Sequence, residues 1–313
     1  MVGIKYSLRR RTFHRLCRFS VLCACVMSLP VWSAGVRRAE CFPVETSAPE
    51  LRERFEAQML AALDSEYLYT LIGGLKPMTD GGLRAHIGLM YRYPDLGGLR
   101  ELQALTKLWS CGEDLYTDVV VSWMDSPRPQ DGGKRRATLL LVNRPAFGRV
   151  VDRKQDVFGP YGFTAASNPS VVYYAAWNSR NNMDRNRMQG YLYGFPDHAV
   201  EWYASVGPEL SRMSQPEVIE WLKKNSREIS IPLFESPLPG AYAFRYSVPQ
   251  TTEPAKEDVQ LQARADAILN EYRARRARYI GPGKPGILAL IRDWYDDGSG
   301  HCSPANTMQV GLR

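Results

Sequence analysis

Histidine is scarce in this chain, with four among 313 residues. One lies in the N-terminal leader described below. An imidazole general base in the rest of the chain can therefore only be His86, His198 or His301. The chain also lacks a Gly-x-Ser-x-Gly elbow, a His-Glu-x-x-His pair and, beyond the leader, a Cys-x-x-Cys pair. These absences exclude the common sequence signatures of serine hydrolases, zinc proteases and thiol–disulfide enzymes.

No cofactor is expected either. The one Gly-x-Gly-x-x-Gly match, at residues 281–286, follows a predicted helix instead of a strand, and its two prolines remove amide donors that a pyrophosphate would need. We interpret it as a linker turn.

Long apolar runs are also few, and one lies near the start. Residues 19–32 follow six basic residues and no acidic one, and Ser33, Ala34 and Gly35 offer the small residues at which a signal peptidase cuts. We predict that residues 1–35 are a signal peptide and that the mature protein is periplasmic or secreted in a bacterium. The basic residues are Lys5, Arg9, Arg10, Arg11, Arg15 and Arg18.

Alternatives remain for this leader. Residues 19–36 carry no charge and are just long enough for an uncleaved inner-membrane anchor, although Pro30 disfavours a spanning helix. Residues 22–25 resemble a weak lipoprotein cleavage box. The consecutive arginines resemble a twin-arginine export motif, although His14 stands where an apolar residue is usual.

Little net charge remains beyond the leader. The whole chain carries +7, and the leader contributes six positive charges and no negative ones, which leaves +1. The basic clusters at residues 134–136 and 273–278 are typical of a loop and of a solvated helix face. No nucleic-acid partner is expected.

Three cysteines remain in the mature part: Cys41, Cys111 and Cys302. In an oxidising compartment one pair can bridge, which leaves one thiol free. Spacing does not choose among the three pairings. We favour a bridge to Cys302, because it would tether the C-terminus through a glycine-rich loop.

Apolar periodicity predicts most of the secondary structure. A four-residue repeat from Leu51 to Leu71 predicts one helix of about six turns. Ser214 and Glu217 form a capping box that opens another helix, and residues 257–278 predict a long polar surface helix with a thin apolar stripe. Further helices are predicted over residues 100–110, 145–158 and 285–295, and a short helix is predicted to carry Asp197, His198 and Glu201. Strands are predicted over residues 115–124, 137–143, 170–177, 229–234 and 241–248, and the second of these is expected to be buried on both faces.

These segments predict an α+β fold. We expect one domain over residues 36–313, with about seven helices around a mixed or mainly antiparallel sheet of about five strands. No mature segment is apolar enough to span a bilayer.

A Gly-Gly-Leu-Lys/Arg tetrad occurs three times, at residues 73–76, 81–84 and 97–100. One interpretation is a backbone nest with cationic side chains for a phosphate or carboxylate. The other is a set of helix caps and tight turns, and we favour it because nothing else recurs.

His198 is the best-placed histidine for acid–base work. It follows Asp197 at a predicted helix start, and Glu201 lies three residues on, on the same helix face. A carboxylate beside an imidazole can hold it as a base, or the two can supply metal ligands. A metal would need a further ligand that spacing does not name, so no metal site is predicted. The structural alternative is that the two acids favour the positive helix start.

Residues 178–187 form an unusual polar hinge between two apolar segments. Arginine forks suit carboxylate, phosphate or sulfate, asparagine amides suit hydroxyl or peptide groups, and nearby aromatic faces suit a carbohydrate or peptide. The alternative is a solvated loop above an aromatic core. The predicted ligand-binding residues are Asn178, Arg180, Arg185, Arg187, Tyr191 and Tyr193.

Three functions follow as hypotheses. The first is an exported protein that binds a small polar or anionic ligand near residues 178–203. The second is a hydrolase of an envelope or extracellular polymer that uses His198 with Asp197 or Glu201. The third is an envelope interaction protein whose helix 257–278 docks a partner. A hydrolase needs His198 in a pocket near a carboxylate from another segment, and a binder needs arginines and aromatics in the pocket without that pair.

Overall fold

The structure, a computed structural model, describes residues 41–87, 96–125, 135–234, 244–250 and 253–296. Within strands, only the backbone is described for residues 81–84, 86–87 and 122–125. All the described ranges belong to one compact unit, Val36–Arg313. The leader, His301 and Cys302 lie outside the described residues.

The described chain mixes helices with small antiparallel sheets. The helices are α1 Pro49–Leu63, α2 Leu68–Leu71, α3 Gly97–Thr106, α4 Arg144–Arg153, α5 Gln155–Phe158, α6 Pro169–Asn178, α7 Asn182–Leu192, α8 Asp197–Leu210, α9 Gln215–Asn225, α10 Lys256–Tyr279 and α11 Ile287–Asp296. The strands are β1 Met78–Ile87, β2 Leu115–Asp125, β3 Arg135–Asn143, β4 Ser226–Ser230 and β5 Arg245–Pro249. One sheet has the order β1-β3-β2, and the other pairs β4 with β5.

The α+β class is confirmed, but the predicted counts are wrong. The described residues form eleven α-helices instead of about seven, and two sheets of three and two strands instead of one sheet of about five. Helices were undercounted because short turns interrupt long apolar patterns, and because residues 170–177 and most of the polar hinge are helical. The predicted helix over residues 51–71, for example, breaks after Leu63 and resumes at Leu68.

Strand β3 divides the core into two layers. It pairs with β1 through Met78 and Val142, and with β2 through Leu115 and Asn143. Leu139 and Leu141 pack in the layer that contains α1, α10 and α11, whereas Leu140 and Val142 pack against α4 and the helices α6 to α8. The expectation that this strand is buried on both faces is confirmed.

Residues 170–177 form a helix, so the predicted strand there is wrong. They belong to α6, and the Asn168 side chain caps that helix by accepting a hydrogen bond from the Ser170 amide at 2.9 Å. The cap and Pro169 at the helix start favour a helix more strongly than Val171 and Val172, which are β-branched, favour a strand. Most of the polar hinge is also helical, because Asn181 caps α7.

The Gly-rich region contains β1, which sequence periodicity missed. The first tetrad forms a turn before β1, the second lies within β1, and the third opens α3. The three copies therefore have three different conformations. Lys76 of the first copy is buried in an ion pair with Glu66.

Helix α10 is less of a surface helix than its composition predicts. Its stripe of Leu261, Ala265, Ile268 and Tyr272 is buried in the core. The Tyr272 hydroxyl also donates to Asp64 at 2.6 Å. The capping box of Ser214 and Glu217, which opens α9, is confirmed.

The structure joins Cys41 to Cys111, whose Cα atoms lie 4.0 Å apart. The predicted bridge to Cys302 is therefore wrong, because Cys41 and Cys111, the two cysteines that could bond to it in the mature chain, are bonded to each other. Both bonded cysteines are buried. Among the described helices, none is long and apolar enough to cross a membrane.

Candidate functional site

A groove with a cavity volume of about 740 Å³ lies between α4 and α10. The turn before α8 closes it, and the loop before β1 forms part of its lining. This volume lies within the range of small-ligand sites. Its apolar lining comes from Leu75, Pro77, Ala146, Val150, Phe195 and Leu261.

Arg264 of α10 is the unusual charge in this groove. It is partly buried, and among the described residues no carboxylate pairs with it. Burial lowers the pKa of its guanidinium, and the neighbouring Arg149 of α4 lowers the pKa further. A partly buried guanidinium that has no carboxylate partner among the described residues favours an anion beside it.

The opposite end of the groove carries the acidic side chains. Glu257 lies seven residues before Arg264 on α10, and Asp197 of α8 also lines this end. The Asp197 carboxylate pairs with Lys154, and Asp152 accepts a hydrogen bond from the Ala165 amide at 3.2 Å. Glu257 is exposed and has no partner in the described part of the chain. Arg153, also exposed, is the cation that lines this end.

Two glycines let the walls of the groove come together. Gly194 has φ +79°, and a side chain there would clash with the carbonyl oxygen of Leu75. Gly74 has φ +57°, and a side chain there would clash with Ala146. A residue with a Cβ would push these segments apart, so glycine at both positions sets the width of the groove.

The predicted ligand-binding residues do not converge on this groove. Tyr191 lines it, but Asn178, Arg180, Arg185, Arg187 and Tyr193 do not. The Nε atom of Arg187 donates to Glu201 at 2.8 Å, and the Tyr191 hydroxyl donates to the same carboxylate at 2.7 Å. Arg187 is thus held by an internal ion pair, while Asn178 and Arg180 are exposed at the turn between α6 and α7.

Tyr193 belongs to a separate polar cluster that does not line the groove. Its hydroxyl and that of Tyr173 both donate to Asp80 of β1, the latter at 2.8 Å. Trp177 stacks on Tyr173 with ring centroids 4.3 Å apart. Burial and the Asp80 charge raise the pKa of both phenols, so these tyrosines are neutral core residues.

His198 meets a carboxylate that the sequence did not name. Its Nε2 atom lies 3.2 Å from Oδ1 of Asp258, which is buried at the start of α10. Asp258 also accepts hydrogen bonds from the Tyr246 hydroxyl at 2.7 Å and from the Ala255 amide at 3.0 Å. This contact does not have hydrogen-bond geometry: both ring nitrogens of His198 lack a hydrogen-bond partner among the described residues, and both are shielded from solvent. Glu201 binds Arg187 and Tyr191 instead of His198.

A second cavity of similar volume lies beside β2. In its lining, the Arg144 guanidinium lies 4.9 Å from the ring centre of Tyr116, whose hydroxyl bonds with Ser170 at 2.9 Å. Glu113 and Arg144, which line this cavity, are exposed, whereas Arg264 is partly buried, so the groove at Arg264 is the stronger candidate.

Comparisons with protein-family models, with curated proteins and with solved structures found no match for this chain. The case for function therefore rests on the geometry of the groove.

Sequence reasoning missed Arg149, Glu257 and Arg264. A signal for Arg264 was present, because it lies beside Ala265 in the apolar stripe of α10, where a charge is unusual. Arg149 and Arg153 are four residues apart, one turn of α4. Which helix faces α10 is decided by tertiary packing, so no sequence pattern could have paired these residues.

Proposed function

We propose that the mature protein acts in the periplasm or outside the cell and binds a small ligand with an anionic group in the groove between α4 and α10. The observation that carries this proposal is Arg264, a partly buried guanidinium that lines the groove and has no carboxylate partner among the described residues. An anion placed there would compensate the charge of Arg264 and accept two-pronged hydrogen bonds from its guanidinium.

The central stretch contributes a wall to this site. Tyr191, Phe195 and Asp197 line the groove, which supports the expectation that residues 178–203 lie near a ligand. The cationic groups come from α4 and α10 instead of the hinge.

The groove can be tested with small anionic probes. We expect phosphate, succinate or a short peptide to raise the melting temperature of the mature protein and to bind in calorimetry. Arg264→Met should weaken that binding at least tenfold, because it removes the central cation. Arg278→Met is the matched control, since Arg278 is exposed on the same helix. Equal binding by the wild type and Arg264→Met would contradict the proposal.

The hydrolase remains the alternative function. It is favoured by the Asp258 carboxylate beside His198, which comes from another segment as such a site requires. The shielding of both ring nitrogens disfavours it, because substrate would have no access to the base. Loss of polymer hydrolysis in a folded His198→Gln variant would favour the hydrolase over the binder. The third hypothesis, partner docking by α10, is disfavoured by the burial of its apolar stripe.

Export is the remaining part of the proposal. The leader supports it, and so does the disulfide, which is typical of oxidising compartments. The mass of the protein recovered from the periplasm or medium tests it: cleavage near Gly35 is expected, and an intact N-terminus in the membrane fraction would favour the anchor.

A further inference from the structure

Helix α10 presents a graded row of side chains to the groove. Glu257, Gln260, Leu261 and Arg264 all line it, at spacings of three, four and seven residues. These spacings place the four residues on one helix face. With a rise of 1.5 Å per residue, Glu257 and Arg264 are about 10 Å apart along the axis, with Gln260 and Leu261 between them.

Contacts at both ends of the groove fix its direction. Near Glu257, the pair of His198 and Asp258 brings the start of α8 to the start of α10. Near Arg264, the close approach of Gly73 to Ile268 brings in the loop before β1. Helix α4 runs antiparallel to α10. Ala146, near the start of α4, contacts Gly74 of the loop before β1, whereas Lys154, just after α4, pairs with Asp197 at the start of α8. Arg149 therefore shares the end of Arg264, away from Glu257.

Opposite charges at the two ends argue against a simple anion as the ligand. Three arginines and three carboxylates line the groove, and Lys154 pairs with one of these carboxylates, that of Asp197. The Asp152 carboxylate accepts from the Ala165 amide and the Asp197 carboxylate pairs with Lys154, whereas Glu257 has no partner among the described residues and can receive a cation. A ligand that matches both ends carries a negative and a positive group about 10 Å apart.

Resting on the proposed anion-binding role of this groove, we infer that its ligand is a short peptide with free amino and carboxyl termini. The carboxylate lies at Arg264, and the terminal ammonium lies at Glu257. An extended chain spans about 3.3–3.6 Å per residue, so about three residues fill the distance. The Gln260 amide, unpartnered among the described residues, pairs with a peptide group, and Leu261 and Phe195 contact the side chains.

The inference is tested with trialanine and two blocked forms of it. For the wild type, N-acetylation should raise the dissociation constant about tenfold, because it removes the ammonium that Glu257 binds. Glu257→Gln should raise the dissociation constant of free trialanine by the same factor and leave that of the acetylated form unchanged. C-terminal amidation of trialanine and Arg264→Met should likewise each weaken binding. Their losses of affinity should not add when the amidated peptide is tested on the variant. Glu253→Gln, an exposed acid just before α10, is the control and should change nothing.

The outcomes separate this inference from the proposed function. If free and acetylated trialanine bind alike, or if only phosphate or succinate binds, while Arg264→Met still weakens the binding, the peptide is wrong and the anion site stands. If no probe binds in a way that depends on Arg264, both fail. Equal losses from acetylation and from Glu257→Gln support the peptide.

Discussion

Gly194 lies directly against the carbonyl oxygen of Leu75, so closely that the backbone leaves no room for a side chain between them. This contact joins the turn before α8 to the loop before β1, and both segments line the groove. The φ of +79° at Gly194 is also one that residues with a side chain rarely adopt.

Gly194→Ala is therefore expected to destabilise the protein by about 2–5 kcal/mol, from left-handed strain together with the clash. Urea unfolding of the mature protein measures this. Gly162→Ala is the matched control, because Gly162 has φ +75° but nothing near the position of a Cβ. It should cost only about 1–2 kcal/mol. Equal costs would show that the contact with Leu75 does not constrain the fold.

The buried ion pair of Lys76 and Glu66 gives a second prediction. Both side chains are almost fully shielded from solvent. Lys76→Met should cost about 3–5 kcal/mol, because it leaves the Glu66 carboxylate buried without a partner. The double variant Lys76→Met with Glu66→Met should recover most of that loss. The exposed pair of Arg52 and Glu56 is the control, and Arg52→Ala should cost less than about 0.5 kcal/mol. A double variant no more stable than Lys76→Met would contradict this account.

The disulfide should be a large source of stability. Cys41 and Cys111 are separated by 70 residues, and closing a loop of that length stabilises the folded state by about 4 kcal/mol on the chain-entropy account. Replacing both cysteines with alanine should lower the unfolding free energy by about that amount. The variant should also no longer lose stability when reductant is added. Cys302→Ser should leave the effect of reductant intact. Mass mapping that finds Cys302 bonded to Cys41 or Cys111 would overturn the pairing.

Alkaline pH should destabilise the cluster of Tyr173, Tyr193 and Asp80. Burial, with the Asp80 charge, raises the pKa of both phenols above the ordinary value of about 10. The folded state thus keeps protons that the unfolded state loses, so stability is fully present below pH ~10 and falls as the pH rises beyond it. Each tyrosine should lower the unfolding free energy by about 1.4 kcal/mol for each pH unit in this range.

Urea unfolding between pH 9 and pH 12 measures this slope. The double variant Tyr173→Phe with Tyr193→Phe should show a shallower decline, although it is less stable at neutral pH because the Asp80 carboxylate loses two donors. A double variant with the wild-type slope would show that these phenols ionise without hindrance in the folded protein.

The sequence by itself determined the features that depend on local pattern. The leader is predicted by charge and apolar runs within 35 residues. The capping box at Ser214 and the doubly buried β3 follow from short-range spacing and composition, and the structure confirms both. Residues 170–177 were predicted wrongly from local pattern. Their β-branched residues favour a strand and their alanines favour a helix, and the cap at Asn168, just outside the segment, stabilises the helix.

Only the tertiary structure decided the groove. Arg149 and Arg264 are 115 positions apart in the chain, and His198 meets Asp258 across 60 positions; no periodicity relates such residues. Their approach depends on how α4, α8 and α10 pack around a shared apolar core, which follows from shape and burial over the whole domain. Local sequence patterns therefore predicted many of the elements, whereas packing selected which charges face one another.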